Sequence, residues 1–261
     1  MQKLALLIRY IHYLYCSTTS YGVHPPFLFD LITRVFKNKS IDANCLKIEA
    51  LKDQLVRDKR TITVTDLGAG SVSGEGKERR IGIVARNSSK PKKYGRLLFR
   101  LVDYFKPSII LELGTSLGLS TAYLAHVNSE TKVITIEGCP NIADLAQKNF
   151  NKLGIRNITV IKGSFDSELP GVLNSTDRID FVFIDGNHKK EPTIKYFEQC
   201  LTKAVNETVF VFDDIHWSEG MEEAWNYIRN HPSVTLSVDI FFMGIVFFKK
   251  ELTRQHFMIR F

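Results

Sequence analysis

Short apolar runs alternate with amphipathic helical patterns along the chain from about residue 97 onwards. Runs rich in β-branched and aromatic residues are typical of strands that are covered on both faces. Apolar positions at helical spacing separate them, and one of these helices is predicted to stop at Gly154. This alternation predicts right-handed βαβ units and a parallel sheet. The five strand candidates are residues 109–113, 133–136, 158–161, 181–184 and 209–212.

The C-terminal part of the chain breaks this alternation. Residues 234–242 and 245–248 are two β-rich runs, and the short link at Met243-Gly244 leaves no room for a crossover helix. The two runs must therefore pair antiparallel, as a hairpin on the edge of the sheet. The sequence thus predicts an α/β fold with a doubly wound, seven-stranded, mostly parallel sheet and a C-terminal antiparallel hairpin. An ordinary dinucleotide dehydrogenase would continue with βα units instead.

The first 90 residues are less regular and are predicted to form a mainly helical cap on a second domain at residues 91–261. Residues 4–15 have the pattern of an aromatic amphipathic helix. We expect this helix to pack on the body of the protein, or on a second subunit in a homodimer, in preference to a membrane.

Composition and charge leave several classes of partner open. The net charge of +7 suits nucleic acid, an anionic membrane or a phosphorylated metabolite, or it reflects a solvated basic surface. The four cysteines are scattered without CxxC spacing, which favours reduced thiols and a cytoplasmic location over a disulfide frame or zinc site. A signal peptide is not expected, and no apolar run is long enough for a transmembrane segment.

The run Glu112-Leu-Gly-Thr-Ser-Leu-Gly-Leu-Ser-Thr121 combines a strand end with a glycine-bearing turn and a helix start. Glycines permit a tight turn and a close approach of backbone to a ligand, and the first N–H groups of the helix face the crevice. The run therefore predicts an adenosine-type cofactor. The expected cofactor-binding residues here are Glu112, Gly114, Thr115, Ser116, Gly118 and Ser120.

A second acidic-glycine segment, Thr65-Asp-Leu-Gly-Ala-Gly-Ser71, has a similar appearance. The residues after it are polar and predict no helix with an apolar face, and no acidic strand end follows about 20 residues on. We therefore interpret it as an ordered loop and not as the cofactor loop.

Polar residues also end the later strands, where ligands bind in doubly wound sheets. Glu137 lies 25 residues after Glu112, at the position where a carboxylate accepts both ribose hydroxyls of a nucleoside. After the third strand, Phe165 and Asp166 are expected to flank an adenine, although capping of the next helix is an alternative for Asp166. Gly163 and Ser164 complete this part of the expected cofactor site.

Together these motifs resemble class I S-adenosylmethionine-dependent O-methyltransferases. The resemblance is carried by residues 112–121, Glu137, Ile184-Asp-Gly-Asn-His188 and Phe212-Asp-Asp-Ile-His-Trp217, and covers roughly residues 90–250. It is closest to the small-molecule branch that includes the catechol and caffeoyl-CoA enzymes and their bacterial relatives. The first 85 residues do not match the plant or animal enzymes. The resemblance implies that residues 91–261 form the methyltransferase domain and that S-adenosylmethionine is the cofactor.

The resemblance also implies a reaction centre with a divalent metal such as Mg²⁺. Asp185, Asp213 and Asp214 match the family's metal positions, and Asp185 also borders the cofactor; the alternative for the Asp213-Asp214 pair is helix capping. His188 stands where the family often has a lysine as general base, and histidine accepts a proton near neutral pH. His216 is a second candidate for a catalytic role, or a structural histidine.

The expected function is O-methylation of a small-molecule hydroxyl. S-adenosylmethionine is cationic at sulfur, so a crevice with several carboxylates suits it better than it suits phosphate-rich dinucleotides. An RNA or protein methyltransferase is the first alternative, favoured by the net charge, although no clear nucleic-acid motif is present. A non-catalytic interaction protein that keeps the fold is the second.

Overall fold

The computed structural model describes residues 2–19, 22–65, 77–88 and 90–261. It divides the chain into two compact units. The terminal unit comprises residues 1–37 and 173–261, and the central unit comprises residues 38–172. The loop at Asp66–Ser71, interpreted above as an ordered loop, lies outside the described residues. The sequence predicted a different division, into a helical cap before residue 90 and a methyltransferase domain after it. That division stays a prediction.

Ten α-helices and ten strands are found in the described ranges. The helices are α1 Gln2–Cys16, α2 Pro26–Leu31, α3 Ala43–Arg57, α4 Ile81–Ser88, α5 Lys92–Phe105, α6 Leu119–Ala125, α7 Pro140–Leu153, α8 Phe165–Asn174, α9 Lys190–Leu201 and α10 Glu219–Asn230, with a π-helical turn at Ile32–Phe36 after α2. The strands are β1 Thr61–Val64, β2 Lys77–Arg80, β3 Ile109–Leu113, β4 Lys132–Glu137, β5 Ile158–Lys162, β6 Phe181–Ile184, β7 Val209–Asp213, β8 Leu236–Asp239, β9 Met243–Phe247 and β10 Gln255–Met258.

The central unit is built on three parallel strands. β3 pairs with β4 and β4 pairs with β5, in a register that sets Glu112 opposite Thr135. Helix α7 starts at Pro140 and ends at Leu153, and the φ of 71° at its C-cap Gly154 confirms the predicted helix stop. β1 and β2 form a separate antiparallel ribbon. The sequence pattern did not predict β2, because all four of its residues are charged and exposed.

The terminal unit contains five strands in the order β10-β8-β9-β7-β6. β6 and β7 are parallel, whereas β9 pairs antiparallel with both β7 and β8. The predicted C-terminal hairpin is therefore confirmed as β8 and β9, but its turn lies at residues 240–242. Met243-Gly244, predicted as the link, are the first two residues of β9. Helix α10 is capped by Ser218, whose side chain accepts a hydrogen bond from the backbone N–H of Met221.

The predicted number of strands was wrong by one. The three strands of the central unit and the five of the terminal unit make eight, because β10 follows the hairpin and pairs in parallel with β8. The hairpin is thus not at the edge of its unit. β10 carries no run of apolar residues, and two of its four residues are exposed, so hydrophobic patterning gives no signal for it. The α/β class, the mostly parallel strands and the hairpin are as predicted.

Helix α1 is the amphipathic helix predicted for residues 4–15, and it belongs to the terminal unit. Tyr13 is buried, and its hydroxyl donates a hydrogen bond to the carbonyl of Ile259. Within the described ranges, no helix has both the length and the apolar character needed to cross a bilayer.

Candidate functional site

The turn after β3 has the backbone geometry that its glycines allow. Gly114, Ser116 and Gly118 have φ values of 108°, 47° and 79°. The N–H of Gly114 donates to the carbonyl of Ile136 on the next strand at 3.1 Å. The side-chain amide of Asn149 on α7 donates to the carbonyl of Leu117 at 2.9 Å. The turn is therefore fixed from both sides.

Gly118 meets a packing requirement in addition to its positive φ. A Cβ at this position would lie 2.4 Å from Cε1 of Phe150, a fully buried ring on α7. The sequence suggested that Gly118 brings backbone close to a ligand. The structure gives Gly118 a packing role, because a side chain here would point into the core; the approach of its backbone to a ligand stays a prediction.

Glu137 connects the end of β4 to this turn. Its Oε2 accepts the backbone N–H of Ser116 at 2.8 Å, and its Oε1 accepts the backbone N–H of Cys139 at 2.9 Å. These two bonds fix the carboxylate in one orientation. A carboxylate oxygen can accept more than one hydrogen bond, and binding of a ribose diol by Glu137 stays a prediction.

Glu112 is fully buried and contacts two threonine hydroxyls. Its Oε2 accepts hydrogen bonds from Thr121 Oγ1 at 2.5 Å and from Thr135 Oγ1 at 2.7 Å. Thr115 is also fully buried, with its hydroxyl 2.5 Å from that of Thr135. This network ties the strand end to α6 and β4, and it gives Glu112 a clear structural role. Contact between Glu112 and a cofactor stays a prediction.

The segment after β5 forms the start of α8. Gly163 has a φ of 157°, and its N–H donates to the carbonyl of Glu137 at 3.0 Å. Ser164 Oγ accepts the N–H of Ser167 at 3.1 Å. Phe165 is half-buried and Asp166 is exposed in the first turn of α8. Ser120 is half-buried in α6. Their contacts with a cofactor also stay predictions.

Three candidate reaction-centre residues converge in the terminal unit. Asp185 follows β6 and Asp213 ends β7; because these strands are parallel neighbours, both side chains stand at the same edge. His188 Nε2 lies 3.6 Å from Asp185 Oδ1. One ligand atom from each of Asp185, His188 and Asp213 lies within 4.8 Å of the others. Two carboxylates and an imidazole are donors that suit a divalent cation.

The loops around this group contain unusual backbone conformations. Asn187, His188 and Asp214 have φ values of 66°, 26° and 53°, which cost energy for residues other than glycine. Such conformations persist where the surrounding structure enforces them, and they cluster at functional sites. Here they accompany the 3.6 Å approach of His188 Nε2 to Asp185 Oδ1.

Asp214 lies apart from this group among the described residues. Its N–H donates to the carbonyl of Phe242 at 2.7 Å, and its carbonyl accepts the N–H of Trp217 at 2.9 Å. The predicted metal set was Asp185, Asp213 and Asp214. The geometry brings together the first two with His188, which the sequence assigned only to proton transfer. Asp214 has a left-handed backbone, which hydrophobic patterning does not reveal, and its binding of a cation stays a prediction.

His216 is held between two carboxylates. Its Nδ1 lies 2.9 Å from Glu222 Oε1 and its Nε2 lies 2.8 Å from Asp239 Oδ2. Burial opposes the charged form, but the hydrogen bonds and charges of Asp239 and Glu222 outweigh burial and raise the pKa of His216. An imidazolium that donates from both nitrogens has no lone pair to act as a base. This geometry favours the structural alternative for His216.

The comparison with protein families matches the middle of the chain. Residues 111–215 match a family model described as a methyltransferase domain. This range begins inside β3 and ends just after Asp213 and Asp214. It therefore contains the glycine turn, Glu137 and the group of Asp185, His188 and Asp213.

Known proteins with similar sequences are methyltransferases. The catechol O-methyltransferase of Niastella koreensis is 32% identical over 124 residues, which cover 46% of this chain and 55% of that protein. The catechol O-methyltransferase of Sus scrofa is 29% identical, covering 42% of this chain and 61% of that protein. A protein-L-isoaspartate O-methyltransferase of Methanospirillum hungatei is 45% identical over 25% of this chain and 29% of that protein. The chain thus spans a little over half the length of the catechol enzymes it matches.

Solved structures share the fold at low sequence identity. An O-methyltransferase from Bacillus cereus in complex with S-adenosylhomocysteine is 21% identical, with a TM-score of 0.55, covering 85% of this chain and 97% of that one. A Podospora anserina methyltransferase bound to S-adenosylhomocysteine is 14% identical, with a TM-score of 0.61, covering 88% of this chain and all of that one.

The fold is that of the class I methyltransferases. The resemblance expected from the sequence is confirmed: the chain is similar to S-adenosylmethionine-dependent O-methyltransferases of the catechol and caffeoyl-CoA type.

Proposed function

We propose that this protein is an S-adenosylmethionine-dependent methyltransferase that methylates a hydroxyl group of a small molecule with the help of a divalent cation. The observation that carries the proposal is the convergence of Asp185, His188 and Asp213 at the ends of two parallel strands in a methyltransferase fold. The catechol O-methyltransferase relatives support a small-molecule acceptor.

The cofactor would be held by the central unit. Glu137 is oriented by two backbone N–H groups and would accept the ribose hydroxyls, while the turn from Gly114 to Gly118 would border the rest of the molecule. Phe165 and Asp166 would flank the adenine. S-adenosylmethionine supplies an electrophilic methyl group on a positively charged sulfur.

The cation would be held by Asp185 and Asp213, with His188 as a third ligand or as the base. Asp213 is almost fully buried, and a carboxylate at this depth gains free energy from a cation close to it. Mg²⁺ prefers carboxylate and water oxygens, so two aspartates suit it; an imidazole ligand would favour Mn²⁺ or Zn²⁺. A bound cation lowers the pKa of an acceptor hydroxyl and orients it.

His188 has two chemical options that experiment can separate. As the base, the imidazole would accept the proton of the acceptor hydroxyl, and Asp185 at 3.6 Å would stabilise the imidazolium that forms. As a ligand, it would leave this proton to solvent. His188→Gln would then lower the affinity for the cation. If His188 is the base, His188→Gln would instead lower the rate of methyl transfer with little effect on cation affinity.

A metal titration with matched variants tests the site. We expect Mn²⁺ to bind the wild type in the presence of S-adenosylhomocysteine, and Asp185→Asn and Asp213→Asn each to weaken binding by at least ~10-fold through loss of a charged ligand. Asp180→Asn is the control. Asp180 lies directly before β6, at the end of the strand opposite to Asp185. Its side chain is 17% exposed, against 15% for Asp185. Equal affinities in all four proteins would exclude this metal site.

Methyl transfer to a panel of hydroxylated aromatic compounds tests the activity. Product that depends on the cation and on Asp185 would support the proposal. Binding of the cofactor without transfer to any acceptor, nucleic acid or protein would favour a non-catalytic protein that keeps the fold. Steeply salt-dependent RNA binding would instead favour the nucleic-acid alternative.

Two further expectations from the sequence stay predictions. A homodimer through the N-terminal region is supported by the exposed apolar face of α1. A cytoplasmic location is supported by the free cysteines.

A further inference from the structure

Helix α1 has one face fixed to its own unit. Tyr13 is buried and packs on Phe241, with ring centroids 5.3 Å apart. Arg9 Nε donates to Glu222 Oε2 on α10 at 2.7 Å. The helix is therefore docked as a rigid part of the terminal unit, and its opposite face has a fixed direction.

The opposite face carries a stripe of large apolar side chains. Leu4, Ile8, Ile11 and Tyr15 are exposed, from 57% for Ile11 to 90% for Tyr15, and Leu7 beside them is 52% exposed. A contiguous exposed stripe of this kind is uncommon on a monomeric protein and marks an interaction surface.

The spacing of this stripe is that of a helix-pairing seam. Successive steps of four, three and four residues from Leu4 to Tyr15 follow the d-a-d-a order of a heptad repeat. Tyr13, which faces the protein, then occupies the f position, opposite the seam. The stripe therefore has the period required to lie against another α-helix over about three turns.

The positions that flank this seam carry no Lys, Arg, Asp or Glu. Helix α1 contains no acidic residue, and the positions that flank the seam are Ala5, Leu7, His12 and Leu14. No charge pair at the flanking positions would oppose an identical helix. Since a small alanine stands beside the seam, a partner helix can approach closely.

We propose that a second copy of this chain covers the stripe, through pairing of the two α1 helices about a twofold axis. The five side chains expose roughly 600 Å² in one copy, and two copies would bury on the order of 1,200 Å², the lower end of specific protein interfaces. Identical surfaces satisfy each other in such an isologous contact. The proposal is independent of methyl transfer.

An anionic membrane is the other candidate for an apolar helix face, and the charges favour it less. A surface helix of that kind presents basic side chains beside its apolar face. Arg9, in the middle of α1, turns instead to Glu222 on the same unit, where the two form an ion pair. The positive charge of the helix centre is thus neutralised within the protein.

Light scattering after size exclusion tests the proposal. We expect the wild type to have about twice the chain mass of 29.8 kDa, and the double variant Ile8→Glu/Ile11→Glu to have the mass of one chain. Leu46→Glu is the matched control, because Leu46 on α3 is 52% exposed and lies in the central unit. It should keep the dimer. Circular dichroism melts of all three proteins check that each is folded.

Two outcomes would overturn the proposal. One is a wild type that remains a single chain at high micromolar concentration. The other is a dimer that survives the double substitution. If the single-chain wild type sediments with vesicles of phosphatidylglycerol and the double variant does not, the stripe is a membrane surface instead.

Discussion

Two glycines with nearly the same backbone conformation have different surroundings. Gly118 and Gly154 have φ values of 79° and 71°. A Cβ at Gly154 would meet nothing within 4 Å, whereas a Cβ at Gly118 would meet the ring of Phe150. Alanine substitutions at these two glycines therefore separate the cost of backbone strain from the cost of steric overlap.

We predict that Gly154→Ala lowers the free energy of unfolding by ~1–2 kcal/mol, the cost of a left-handed conformation. Gly118→Ala should cost a further ~1–3 kcal/mol because the core must move. Urea denaturation measures both. Replacing the ring by a smaller side chain, with Phe150→Leu, should recover part of the stability lost in Gly118→Ala and none of that lost in Gly154→Ala. Equal losses of stability in the two alanine variants would contradict the packing role.

The partly buried His216 predicts a pH dependence of stability. The pKa of His216 is raised in the folded state, so its contribution is complete below the unfolded-state pKa of ~6.5 and is lost as pH rises through the folded-state value. We predict that His216→Gln destabilises the protein by ~3 kcal/mol at pH 6, where it leaves Asp239 without its cation and Glu222 with Arg9 alone, and by less at high pH. Thermal melts across pH measure this, and a constant difference would contradict it.

At single positions, the sequence predicted which residues come together where strand order alone decides it. Asp185 and Asp213 were found because residues that end parallel strands share one edge of a sheet. His188, and not Asp214, joins them in this group, and both residues have a positive φ, which has no sequence signal at non-glycine positions. Binding of a cation by Asp214 stays a prediction. The partners of His216 come from β8 and α10, and only the fold brings them together.

Helix α1 is the element that links the N-terminal segment to the candidate site. Arg9 pairs with Glu222, Glu222 contacts His216, and His216 contacts Asp239 at the start of the hairpin turn. The four side chains in this series of contacts come from three elements and one loop. Their order indicates that α1 supports the loop that follows Asp213.

We predict that Arg9→Ala loosens α1 selectively and lowers the free energy of unfolding by ~1–2 kcal/mol, since the ion pair is partly buried. Hydrogen exchange should rise in α1 more than in the parallel strands. Arg34→Ala is the control, because the pair of Arg34 with Asp30 is largely exposed and is worth ~0.5 kcal/mol or less. Equal exchange in both variants would remove the supporting role of Arg9.

Elements with a strong hydrophobic period were predicted and those without one were missed. The five parallel strands and the β8–β9 hairpin have continuous apolar runs, and all were found. The parallel strands agree with their predicted bounds to within one residue, whereas the hairpin strands differ from theirs by up to three. The charged ribbon strand β2 and the short strand β10 are fixed by pairing with a neighbour. Tertiary contacts, and not local pattern, determine such strands.

On the scale of the whole molecule, each unit contributes a different chemical part. The central unit contains the glycine turn and Glu137, which suit an adenosine-type cofactor. The terminal unit contains the carboxylate group that suits a cation. The acceptor could not be predicted, because the first 85 residues do not match the plant or animal enzymes of the family.

Calorimetric titration with S-adenosylhomocysteine tests the central claim most directly. The account predicts one molecule bound per chain, and at least ~10-fold weaker binding for Glu137→Ala, which loses hydrogen bonds to a charged group. Asp144→Asn, a change in an exposed carboxylate paired with Lys162 on the same unit, should bind like the wild type. Absence of binding to the folded wild type, or equal affinity in Glu137→Ala, would contradict the account.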